Sequence, residues 1–64
     1  MFDFQRRVVD EKTELDFNIT KLTAFINLGQ QFQACSVDEQ KRLIEQRQYM
    51  LKYSEILGER IKNF

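Results

Sequence analysis

The side chains best able to recognise a ligand in this sequence are guanidinium groups set beside aromatic rings. Phe2, Phe4, Arg6 and Arg7 crowd the first seven residues. An aromatic plane stacks a nucleobase, and an arginine fork grips a phosphate through two parallel hydrogen bonds. The same arginines stand three and four residues before Asp10 and Glu11, so ordinary ion pairs along a helix are the alternative. A second group, Tyr49, Tyr53, Ile56 and Arg60, is spaced four, three and four, which places it on one line of a helix. A tyrosine offers a flat apolar body with a hydroxyl at its tip, so this line can border a polar pocket or simply pack against another protomer.

Lys12 and Arg47 interrupt otherwise apolar stripes. A cation there either carries its head out to water or meets an anion at an interface. Asp10, Glu11, Glu14 and Asp16, and the pair Glu55 and Glu59, have cationic neighbours and no glycine-rich loop, which reads as a solvated face. With no histidine and the single thiol of Cys35, the chain lacks the usual members of nucleophile–base and metal constellations. A non-enzymatic protein with no cofactor and no metal is therefore expected. Ten basic residues balance ten acidic ones, so no net field gathers nucleic acid or anionic lipid.

The elements that position these groups follow from periodicity. Phe4, Val8, Leu15, Ile19, Leu22 and Ile26 form one helical stripe, and Leu43, Met50, Leu57, Ile61 and Phe64 form another. The pattern predicts a helix over about residues 3–27, a turn over 28–36 and a helix over about 37–62. Gly29 is expected as a left-handed helix stop, with Phe32 and Leu28 plugging the turn end. Ser36 is expected to cap the second helix in a reciprocal box with Glu39. So short a connection makes the helices antiparallel neighbours. Lys12 then falls near Met50 to Ser54 and Arg7 near Leu57 to Ile61, and Arg6, Arg7, Tyr53, Arg60 and Phe4 become the candidate ligand-binding residues at the open end.

The fold class is all-α, a single domain over 1–64: an antiparallel two-helix hairpin assembling as a homo-oligomeric helical bundle. A chain of 64 residues has a marginal core, and one cysteine cannot cross-link it, so burial must come from self-association. Val9, Phe17 and Phe25 on the first helix, and Tyr49, Tyr53 and Ile56 on the second, widen the apolar faces beyond one seam. The N-terminal MFDFQRRVVDEK lacks the apolar run of a signal peptide and no segment approaches a membrane span, so a cytoplasmic protein is expected.

ELDFNITKLTAFI, then Phe32, then DEQKRLIEQRQYMLKYSEILGERI resembles a family of short tailed-bacteriophage and prophage proteins. The shared pattern is an acidic ELD start, a KL..FI helix end, a turn phenylalanine, and EQ..L, Q, M, YS..L and RI in the second helix. The chain departs from it at Gln33-Ala34-Cys35 and at Asn18. In size and hairpin plan it is also similar to phage sponge proteins that trap cyclic nucleotides or ADP-ribose derivatives between protomers. The resemblance implies a counter-defence protein in the cytoplasm of an infected bacterium, one that sequesters a nucleotide-derived signal. The alternative is a helical interaction module that inhibits a host protein.

Overall fold

The computed structural model describes residues 1–64 and contains three helices and no strand: α1 (Asp3–Leu28), α2 (Gln30–Ala34) and α3 (Val37–Lys62). α1 and α3, 26 residues each, lie against one another, with α2 forming the turn. Their seam follows a seven-residue repeat. Val8, Leu15, Ile19, Leu22 and Ile26 of α1 face Leu43, Met50, Leu57 and Ile61 of α3, and all are buried or half-buried. Leu57 alone has no exposed surface.

The helix ends are held by local chemistry. Gln5 reaches back to accept from the Phe2 amide at 3.0 Å, closing the first turn of α1. Ser36 caps α3 by accepting from the Glu39 amide at 3.1 Å. The reciprocal half of the expected box does not form, because the Glu39 carboxylate accepts from Arg42 Nε at 2.8 Å instead. An arginine three residues on is a charged donor, and it competes well with a neutral amide.

The turn departs from expectation in three ways. Gly29 is not left-handed: its φ is −93° and ψ 107°, and it serves both as the end of α1 and the start of α2. Glycine is required there by closeness, since a Cβ would collide with the Phe25 carbonyl oxygen. Leu28 plugs nothing and lies largely in solvent. Phe25, expected on an outer face, instead meets Phe32 edge-to-face at 6.4 Å, and this pair fills the turn end. The Gln40 amide then ties α2 to α3, donating to the carbonyls of Phe32 at 3.0 Å and Cys35 at 3.2 Å.

Candidate ligand-binding site

The antiparallel register brings most of the expected arginine and aromatic set to one flank of the open end. Two contacts fix that flank. The Tyr53 hydroxyl donates to the Glu11 carboxylate, and Phe4 packs edge-to-face on Phe64 at 6.1 Å while stacking on Phe2. Phe4, Arg7 and Glu11 follow one another at three and four residues, and so make one line along α1. Opposite them run Tyr53, Ile56 and Arg60, and Arg60 sits between the two fixed rungs. Arg6 does not join them, because it leaves the helix about 100° round from Arg7. None of the three arginines has a carboxylate within 4.0 Å: the ion pairs of the chain are Lys12–Asp16, Arg42–Glu39 and Lys52–Glu55. The pairing of Arg6 and Arg7 with Asp10 and Glu11 that the spacing allowed is thus not made. Arg7 and Arg60 are exposed forks on the same helix lines as Phe4 and Tyr53, able to accept an anion.

Two polar clusters interrupt the apolar seam, where Lys12 and Arg47 were expected to do so. Lys12 Nζ donates to Asp16 Oδ2 at 2.8 Å and to Ser54 Oγ at 2.9 Å. Ser54, itself buried, donates to the other oxygen of Asp16, so the three side chains close a ring. The donors from Lys12 and then Ser54 hold the Asp16 carboxyl below its ordinary value of 3.8. One helical repeat away, Arg47 Nε donates to Thr23 Oγ1 at 2.6 Å. Arg47 makes no other side-chain bond, and it is half-buried.

Sequence reasoning named Lys12 and Arg47 and placed Lys12 near Met50 to Ser54, where Ser54 indeed meets it, but it named no partner for Arg47. Ser54 was legible in principle, since it continues the seven-residue spacing of Gln40 and Arg47. Thr23 was not, because its bond to Arg47 depends on how α1 and α3 are set against each other. The carboxylates Asp10, Glu14 and Asp16 surround Phe17 in a shallow open depression, and the Lys21 ammonium sits 4.8 Å above the Phe17 ring. That fits a solvated face rather than an acid–base pair.

No helix is long and apolar enough to cross a membrane. No curated protein and no solved structure matches the chain significantly. The Sequestin family model matches residues 3–63, a span that runs from the first residue of α1 to one residue past the end of α3. An all-helical hairpin is thus matched over nearly its whole length, and the chain belongs to the Sequestin family.

Proposed function

We propose that this protein sequesters a small, anionic, nucleotide-derived signal between protomers, without chemical turnover, as a phage counter-defence protein in the cytoplasm of an infected bacterium. The family match over residues 3–63 carries the reading, since the family name denotes sequestration. The open-end flank supports it. Arg7 and Arg60 supply charged forks with no internal counter-ion, and Phe4 and Tyr53 supply flat surfaces for a base.

Self-association belongs to the same proposal. The chain exposes 5209 Å², whereas a compact monomer of its 7.8 kDa exposes about 4,400 Å². The surplus is close to the roughly 800 Å² that each partner contributes to a standard interface. A homodimer would double the number of arginine-lined flanks and close each against a second copy.

Purified protein incubated with cyclic dinucleotides, cyclic oligoadenylates and ADP-ribose derivatives should bind at least one and release it intact on heating. It should also gain thermal stability with that ligand. Arg7→Ala and Arg60→Ala should each weaken binding about ten- to hundredfold with helicity unchanged, the value of one charge-assisted hydrogen bond. Failure to bind any member of the panel rules out the sequestration reading. A stoichiometric protein recovered from infected cells would then favour the interaction module, for which exposed Tyr49, Ile56 and Leu51 are the available apolar surface.

A further inference from the structure

Among the cations on the seam, Lys12 is neutralised within the chain and Arg47 is not. Lys12 has a carboxylate and a serine hydroxyl. Arg47, at an equivalent position one cluster along, spends only Nε, on Thr23, and no carboxylate lies within 4.0 Å of it. Both terminal nitrogens of its fork therefore remain without a protein acceptor.

Thr23 adds a further free donor. Thr13 and Thr20, on the same helix, each donate back to the carbonyl four residues earlier, at 3.0 and 3.1 Å. Thr23 makes no such bond: its oxygen accepts from Arg47, and its proton has no acceptor in the chain. A guanidinium fork and a hydroxyl, both half-buried at the seam, thus offer donors at one place. The complement of that arrangement is an oxyanion with several acceptor oxygens.

We infer that Arg47 and Thr23 form an oxyanion-binding site that takes a phosphate or pyrophosphate group of the sequestered molecule. The inference rests on the sequestration reading but assigns a site distinct from the open-end arginines. Arg47 stands 13 residues before Arg60 on the same helix, a separation of roughly 20 Å. The site also explains why a seam position holds an arginine at all. A half-buried charge without a counter-ion costs stability, and a methionine of similar length would pack there without that cost.

The test compares wild type with Arg47→Met, Arg47→Lys and Thr23→Val by calorimetry, using ADP-ribose, inorganic pyrophosphate and adenosine as probes, with light scattering and thermal melts alongside. Arg47→Met should keep its helicity and oligomeric mass and melt at least as high as wild type. It should bind ADP-ribose and pyrophosphate about ten- to hundredfold more weakly. Arg47→Lys should recover binding only in part, because an ammonium lacks the fork. Any response to adenosine should be the same in all variants. Wild-type-like binding of both phosphate probes by Arg47→Met overturns this site while leaving sequestration intact. A drop in mass or melting temperature shows instead that Arg47 is held for stability, within the chain or against a second copy, and also overturns it. If wild type ignores every probe here and every ligand of the wider panel, both readings fall together.

Discussion

At Asp16 two donors converge on one carboxylate, and the consequence is a pH-dependent hairpin. Lys12, then Ser54, favour the ionised form and hold the pKa below 3.8. A carboxyl depressed on folding contributes stability above its unfolded value and loses it as pH falls through the folded one. The melting temperature should therefore be steady from neutrality to about pH 5 and fall below about pH 4, through this group among others. Asp16→Asn should melt lower than wild type at pH 7, and the gap should narrow at pH 3, as thermal circular dichroism would show. A gap of equal size at both values would mean that the ring of Lys12, Ser54 and Asp16 does not stabilise through its charge. Ser54, buried between helices, matters to the same ring as both acceptor and donor.

The elements depend on two small residues at their ends. Gly29 permits α2 to fold back at once after α1, because nothing larger than hydrogen fits beneath the Phe25 carbonyl. Gly29→Ala must push the Phe25–Phe32 pair apart, and an overpacked site of this kind costs about 1 to 3 kcal/mol. The cost should appear as a lower midpoint in urea unfolding. Ser36→Ala removes the one side-chain acceptor for the first turn of α3 and should cost about 1 kcal/mol by the same measurement. If Gly29→Ala unfolds at the wild-type midpoint, the turn accommodates a methyl group by moving α2, and closeness is not what selects glycine there.

As a whole the molecule is a rod of 45 × 14 × 13 Å with a radius of gyration of 14.5 Å, where a compact chain of this length would have about 11 Å. A rod has much surface for its volume, and only four of the 64 residues are buried. Val37, Ile44 and Leu51 run along one flank of the seam and Tyr49, Tyr53 and Ile56 along the other, all of them exposed. Light scattering at micromolar concentration should accordingly give at least twice the mass of one chain, and the melting temperature should rise with protein concentration. Leu57→Ala, at the one fully enclosed side chain, should cost about 2 to 5 kcal/mol and shift the protein towards an unfolded monomer. A folded particle of single-chain mass would remove the argument from burial.

The two long helices, their antiparallel order and the serine cap were all legible in the sequence, because periodicity, punctuation and capping act over three or four residues. The stripe from Val8 to Ile26 needed no knowledge of its partner to be read as a helix face. Which polar groups meet across the seam was decided only by the tertiary structure. Tyr53 finds Glu11, Ser54 finds Asp16 and Arg47 finds Thr23 across separations of 42, 38 and 24 residues. Such pairings depend on the rotation and axial register of one helix against the other, and a shift of one residue in either turns a side chain by about 100°. That rotation keeps Arg6 off the flank occupied by Arg7. The counter-ion of Lys12 is by contrast local, Asp16 four residues on in α1, whereas the positions three and four residues either side of Arg47 are Leu43, Ile44, Met50 and Leu51. Gly29 and Phe25 carry the same lesson. Both residues were marked from local pattern, and their roles came from a carbonyl and a ring that only the folded turn brings against them.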